Sequence, residues 1–289
     1  MDMPKLILLV GVPGSGKTTY ASKYIEEHPG TVHLSSDKIR FELWGNEATQ
    51  GDNNEVFYRM QTRAIDALNF GSDVIYDATN ITRKDRAYII SLCPKFAKIE
   101  AHVIWAPIET CIERDAARER TVGKAVIDKM LKRFQPPFYD EGIAEIKVIR
   151  PKEFNMFEYS SETMRALDIS HDNPHHTLNV YDHCDEAADI ALNSGYELDI
   201  QVAALIHDIG KPYTKSFRDG KGNPSEVAHF YSHDNVGSWM SYGSVNSVYV
   251  PWLVGNHMGP FMNTKYYNKL PPFLKEPIDK LHECDVNAH

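Results

Sequence analysis

The spacing of hydrophobic positions changes character near residue 150. Before that point, short unbroken apolar runs alternate with stretches of helical period. Lys5–Val10 is a continuous Leu/Ile/Val run, and a Gly-rich turn separates it from a helical stretch at Lys17–Glu27. Thr31–Leu34, Asp73–Asp77, Ile99–Ala106 and Ile146–Ile149 read as further strands. Asn54–Phe70 carries Val56, Met60, Ala64, Ala67 and Leu68 at helical spacing, and Pro107–Arg120 and Val126–Phe134 also read as helices. Strands that are apolar throughout are buried on both faces. Their alternation with helices predicts an α/β fold, a parallel sheet with helices on both faces.

Past Arg150 no strand alternation is found. Helical segments follow one another instead: Val180–Ser194, Ile200–Ile209, Val227–Met240, Ser247–His257 and Pro277–Asn287. Polar, Pro and Gly positions at Lys215–Glu226 and Gly259–Lys265 separate them. This half is predicted to be all-α. Pro151–Ser161 reads as the connection, which places one domain at residues 1–152 and a second at 160–289.

The composition of the 289 residues, 42% hydrophobic and 25% charged, is ordinary for a globular chain and excludes a disordered or fibrous one. No apolar run near the start approaches a membrane span or a signal-peptide core. Cys93, Cys111, Cys184 and Cys284 lie far apart and form no C-x-x-C pair, so a cytoplasmic chain with reduced thiols is expected. The charge is uneven. Residues 1–150 carry 21 Lys and Arg against 21 Asp and Glu, whereas residues 151–289 carry 10 against 19, and ten of the 13 histidines. The net charge of −9 argues against a broad non-specific nucleic-acid surface. A half rich in both His and acids suits a metal site, if the spacing allows one.

Gly11-Val12-Pro13-Gly14-Ser15-Gly16-Lys17-Thr18 fits G-x-x-x-x-G-K-[ST], after a strand and before a helix. Glycines let backbone N–H groups curl around an anion at the positive end of the helix. Gly14, Ser15, Gly16, Lys17, Thr18 and Thr19 are thus expected to hold the phosphates of ATP, with the Thr18 hydroxyl on Mg²⁺. Asp37 lies just beyond the second strand, where such sheets open towards ligand. Arg40 follows three residues later, on the same helix face. A carboxylate there can take the proton of an attacking hydroxyl, and the Arg can hold a phosphate of the acceptor. The bland alternative is a helix cap paired with Arg40. Asp77, at the end of the third strand, is read either as a Mg²⁺ partner or as a residue orienting Arg40. Residues 113–133 carry a local charge of +3, in which Arg114 and Arg118, four apart on one helix face, are expected to close over the nucleotide. Lys129–Arg133 reads as a solvated helix.

Walker A, Ser35/Asp37/Arg40, Asp77-Ala78-Thr79-Asn80 and Cys111/Arg114/Asp115/Arg118, in that order, resemble the phage-type 5′-polynucleotide kinase family over about residues 5–150. The resemblance implies the P-loop NTPase fold. It implies a general base at Asp37, an acceptor-phosphate contact at Arg40 and a lid Arg at Arg118. Small-molecule kinases and zeta-type toxin kinases share parts of this pattern.

In the second half, His207-Asp208 ends the apolar stretch Val202–Ile206 and is followed by Ile209-Gly210-Lys211. Imidazole and carboxylate side by side can reach a metal lying across a helix end. His183 and Asp285 on other helices add two ligands, and His233 and His257 add a second pair. Without Cys ligands, Mn²⁺, Fe²⁺, Co²⁺ or Ni²⁺ suits this set better than a structural zinc. His175 and His176 read as helix-entry hydrogen bonders, and His171, His229 and His282 as structural or exposed. Lys211 is read as a phosphate contact or a helix-end cation. With their flanks, these residues resemble the HD superfamily of metal-dependent phosphohydrolases over about 165–289. The resemblance implies His183, His207, Asp208 and Asp285 as primary ligands, and His233 and His257 as a second-metal pair found in some members. Asp285 stands four residues from the end, on what reads as a short last helix.

Together the two halves predict a bifunctional end-healing enzyme. Its first domain adds phosphate from ATP to a 5′-OH, and its second removes a 3′-phosphate or 2′,3′-cyclic phosphate. The expected partners are RNA or DNA strand ends and a ligase acting downstream, with no membrane. Two rivals remain: a small-molecule or nucleoside kinase joined to a nucleotide phosphohydrolase, and a nucleotide-sensing regulatory protein.

Overall fold

The computed structural model describes residues 3–46, 51–173 and 177–288. His175 and His176 therefore lie outside the described residues. The chain divides into two compact units: Met1–Met130 with Pro137–Lys152, and Leu131–Pro136 with Glu153–His289.

The first unit runs β1 (Lys5–Val10), α1 (Lys17–Glu27), β2 (Val32–Ser35), α2 (Ser36–Trp44), α3 (Asn53–Asn69), β3 (Val74–Asp77), α4 (Arg83–Leu92), β4 (Lys98–Ile104), α5 (Ile108–Ala116), α6 (Lys124–Leu131) and β5 (Glu145–Ile149). Its sheet has the order β2-β3-β1-β4-β5, and every pairing is parallel. β1 is central and buried on both sides. Leu6 and Leu8 pack with Ile39, Val56, Met60, Ala64 and Leu68 of α2 and α3, while Ile7 and Leu9 pack with Ala21 and Tyr24 of α1. The sheet is thus covered by helices on both faces. β1 reaches the phosphate loop at its carboxyl end, and β2 and β3 bring Asp37 and Asp77 to the same edge.

Local caps fix where several helices begin. Thr82 and Asp85 form a reciprocal capping box at α4, and Asp52 caps α3. One expected helix is shorter than its hydrophobic spacing implies: α5 ends at Ala116 rather than Arg120. The Asp115 carboxylate accepts from Thr121 Oγ1 (2.7 Å), Val122 N (3.0 Å) and Gly123 N (2.8 Å), folding the chain back onto the helix. Arg114 remains on α5 and Arg118 lies beyond it, so the two do not share one helix face.

The second unit continues with α7 (Met156–Arg165), α8 (Val180–Asn193), α9 (Leu198–Ile206), α10 (Lys211–Thr214), β6 (Ser216–Arg218), β7 (Pro224–His229), α11 (His233–Ser244), α12 (Tyr249–Val254), α13 (Gly259–Met262), α14 (Lys265–Lys269) and α15 (Pro272–Asn287). It is helical, with one addition to the all-α expectation. β6 and β7 form an antiparallel hairpin where the hydrophobic spacing predicts a helix through Val227–His229. Asp219 accepts from the N–H groups of Lys221 and Asn223 and turns the chain there. The last helix is also longer than expected, 16 residues with Pro272 in its first turn and Pro277 accommodated inside. The connecting segment is not bare either, since α7 begins at Met156 under an Asn155 cap. No helix among the described residues is long and apolar enough to cross a membrane.

Two candidate active sites

The phosphate loop owes its shape to Gly14 and Gly16, whose φ values of +78° and +107° lie in the left-handed region. At Gly14 the strain is also steric, because a Cβ would stand 2.0 Å from the carbonyl oxygen of Cys111. Gly16 precedes α1, and no side chain caps that helix, which leaves its positive end for an anion. Lys17 Nζ is folded onto its own loop, donating to the carbonyls of Gly11 (2.9 Å) and Val12 (3.0 Å). Burial lowers the Lys17 ammonium to about 8, opposed by the charges of Asp77 and Asp37, while Arg118 adds to the lowering. A triphosphate would supply the negative charge this ammonium lacks. Among the described residues Ser15 Oγ is buried in the loop without a hydrogen-bond partner, as expected of a cradle made for a ligand. Thr18 and Thr19 are exposed at the start of α1.

Asp37 sits in the first turn of α2, its carboxylate 54% exposed. Arg40 Nη1 donates to Asp37 Oδ1 (3.0 Å) and Arg40 Nη2 to Asn53 Oδ1 (3.0 Å), while Arg120 Nη1 stands 3.6 Å from the same carboxylate. Asn53 and Arg120 were not singled out from the sequence. Their signal is spatial: one lies thirteen residues after Arg40 and the other beyond α5. Asp77 is buried at 5% exposure and pairs with His33 Nε2 (3.1 Å) on the neighbouring strand. Asp37 and Asn53 hold Arg40; Asp77 does not.

The loop after β3 is tied to the phosphate loop through Thr79 and Asn80 of the Asp77–Asn80 motif, supported by Arg86, which no motif contains. Asn80 adopts φ +46° and donates Nδ2 to the Leu9 carbonyl (2.8 Å), and the Thr79 carbonyl accepts from Gly11 N (3.0 Å). Arg86, fully buried, donates to the Asn80 carbonyl (2.9 Å) and grips Glu141 with Nε (2.8 Å) and Nη2 (2.7 Å).

The second unit brings His183 (α8), His207 and Asp208 (after α9), His233 (α11), His257 (after α12) and Asp285 (α15) together. His183 Nε2 is 3.2 Å from His207 Nε2 and 3.1 Å from Asp285 Oδ1, and Asp208 Oδ2 is 3.4 Å from His207 Nε2. On its other side, Asp208 Oδ1 is 3.2 Å from His233 Nε2, which is 3.1 Å from His257 Nε2. Asp208 thus stands between two clusters with one oxygen towards each.

All four imidazoles are oriented by the same device. The Nδ1 atoms of His183, His207, His233 and His257 lie 3.1, 2.7, 2.8 and 2.7 Å from the carbonyls of Ala288, Ala204, Phe230 and Val254. A carbonyl only accepts, so each Nδ1 carries a proton, and in the neutral ring Nε2 presents a lone pair. Lone pairs facing one another at these separations repel unless a cation lies between them. Electrostatics point the same way. Against the cost of burial, the carboxylates of Asp208 and Asp285 hold His207 well above the usual imidazole range. Burial raises both carboxylates, yet Lys211 and His207 for Asp208, and His207 and His183 for Asp285, hold them well below theirs. The donor set of nitrogen and oxygen fits one or two divalent metal ions.

Close backbone approach makes this possible. A Cβ on Gly210 would lie 2.1 Å from the His233 carbonyl, and Gly237 N lies 2.7 Å from the same point. Two glycines therefore let α11 bring His233 up to Asp208. Lys211 is buried, 2.5 Å from Asp208 Oδ2 and 2.9 Å from His171 Nε2. A cavity of about 690 Å³ opens over the cluster, bounded by Asp208, Lys211, His233, His257, His282 and Asp285, with Phe230 and Phe261 among its apolar walls.

Comparison with known proteins covers both units. The AAA domain family matches residues 6–137, and the HD domain family matches residues 175–284. A protein of Arabidopsis thaliana, transcription factor bHLH140, is 28% identical over 149 residues, covering 49% of this chain and 15% of that protein. A chain in the structure of the Pnkp1/Rnl/Hen1 RNA repair complex is 24% identical, with 46% of this chain and 44% of that one covered and a TM-score of 0.43. The crystal structure of a fungal RNA kinase is 14% identical, with 53% and 40% covered and a TM-score of 0.40. The chain spans 15% of its curated relative and less than half of these two solved chains. The first unit thus has a P-loop fold matched by the AAA domain family, and the second a helical fold matched by the HD domain family.

Proposed function

We propose that this chain heals broken nucleic-acid ends, by ATP-dependent phosphorylation of a 5′-OH and metal-dependent hydrolysis of a 3′-phosphate or 2′,3′-cyclic phosphate, with RNA as its substrate and a ligase acting on the product. The observation that carries the reading is the exposed Asp37 carboxylate, held by Arg40 and near Arg120, among the charges that act on Lys17. A nucleotide-binding regulator needs Lys17 but not this arrangement.

In the first unit Asp37 would take the proton of the attacking hydroxyl, and Arg40 would bind the phosphate next to it. Lys17 and Arg118 would neutralise charge on the transferred phosphoryl group, and Arg114 would help hold the nucleotide. Thr18 and Asp77 would hold magnesium, which would supply further charge neutralisation. In the second unit His183, His207, Asp208 and Asp285 would hold one divalent ion, and His233 and His257 would hold a second. Such ions polarise a phosphoester and yield hydroxide near neutral pH. The chain's own part is orientation, since the four carbonyl-bound Nδ1 atoms keep each Nε2 aimed inward.

Variants separate the two activities. With labelled ATP and a 5′-OH, 3′-phosphate oligoribonucleotide, Asp37→Asn should lower 5′ labelling by at least about 100-fold and leave 3′-phosphate release intact. Asp208→Asn should do the reverse. Transfer to a nucleoside or sugar but to no oligonucleotide would favour the small-molecule kinase instead.

A further inference from the structure

We propose that His282 is a substrate-binding residue of the HD site, donating a hydrogen bond to the phosphate that lies over the metal cluster. The proposal rests on the reading of this cavity as a phosphohydrolase site.

His282 lies on α15, three residues before Asp285 and so on the same helix face, and both line the cavity. Its situation differs from that of the four ligand imidazoles. Each of those has Nδ1 engaged by a backbone carbonyl. His282 Nδ1 is buried with no hydrogen-bond partner among the described residues. An orphaned N–H costs more than an orphaned lone pair, so the proton belongs on Nε2. His282 lines the cavity and its Nε2 is not among the buried unpartnered atoms, which gives a donor at the cavity wall.

A phosphate needs such a donor here. The metal-facing atoms are lone pairs and carboxylate oxygens, all of them acceptors. Lys211 is already committed, with Asp208 Oδ2 at 2.5 Å and His171 Nε2 at 2.9 Å. His229 is engaged with Ser225 Oγ at 3.1 Å, and Asn235 donates to the Lys132 carbonyl at 2.9 Å. His282 is a cavity donor with no such commitment. A hydrogen bond to a charged oxygen is worth about 10- to 100-fold in affinity.

The test uses inorganic phosphate as the probe. It is titrated calorimetrically into the metal-loaded protein in a Lys17→Ala background, so that the phosphate loop does not compete. Metal content and melting temperature are measured alongside. His282→Ala should weaken phosphate binding by about 10-fold or more, with metal content and melting temperature unchanged, and His282→Gln, which keeps an N–H donor, should recover part of the loss. With a 3′-phosphorylated oligoribonucleotide the loss should fall mainly on KM. Phosphate affinity within twofold of the parent in His282→Ala would overturn the proposal, as would loss of metal or of stability in both variants. A parent protein that binds phosphate here yet hydrolyses no 3′-phosphate would refute the substrate reading while the calorimetry still decides the role of His282.

Discussion

Single imidazoles in this chain do opposite work depending on what stands beside Nδ1. In the HD cluster a carbonyl holds the proton on Nδ1, and Nε2 is left to bind a cation. In β4, Tyr20 Oη contacts His102 Nδ1 at 2.8 Å and Glu100 lies 3.2 Å from Nε2, with the imidazole fully buried. Burial lowers His102 from 6.5 to about 4, against the opposing pull of Glu100. Its folded value lies below its unfolded one, so protonation costs more in the folded chain. That contribution is fully present above about pH 6.5 and is lost as pH falls towards 4, by about 3 kcal/mol in all. Denaturant midpoints of the first unit should therefore drop between pH 7 and pH 4.5, and His102→Gln should flatten the drop. An unchanged slope in the variant would assign the acid sensitivity elsewhere. Residue type and spacing pointed to six side chains that the structure brings together in the second unit, His183, His207, Asp208, His233, His257 and Asp285. They did not reveal His282 or Arg86, because a missing partner and a buried guanidinium are facts of packing, not of pattern.

Elements were legible where one period dominated. β1 and α1 match their expected bounds because an apolar run and a Gly-Lys turn leave no alternative. The readings fail where a tertiary hydrogen bond overrides the period, as at α5, where Asp115 captures the backbone of Val122 and Gly123. That capture shapes the segment carrying Arg118 and Arg120, which lie between the helix and the captured turn. Asp115→Ala should raise the KM for ATP by roughly 10-fold and leave the HD activity unchanged, as steady-state kinetics of both reactions would show. The hairpin of β6 and β7 escaped notice because three residues are too few to display an alternation. Close approach of two elements has a sharper test. Gly210→Ala places a Cβ against the His233 carbonyl and should cost about 3 kcal/mol and, on the proposed reading, weaken metal binding at His233 and His257. Thermal melting and metal analysis would read both, and wild-type metal content in this variant would show that the Asp208–His233 approach is not limited by that glycine.

Across the whole molecule, the charge arithmetic takes on local meaning. The acidic half holds a cluster whose two carboxylates are kept ionised beneath four converging imidazoles. The neutral half gathers Lys17, Arg40, Arg118 and Arg120 about the phosphate loop and Asp37. Each unit thus has a site suited to phosphate chemistry, and on the proposed reading the first adds the group and the second removes it. The most direct measurement of that claim is the mass of one oligoribonucleotide bearing a 5′-OH and a 3′-phosphate, before and after incubation with the protein, ATP, Mg²⁺ and Mn²⁺. The account predicts conversion to a 5′-phosphate, 3′-OH strand, a product with phosphate gained at one end and lost at the other. A strand recovered with both ends unchanged, while the protein consumes ATP on a small acceptor, would contradict it.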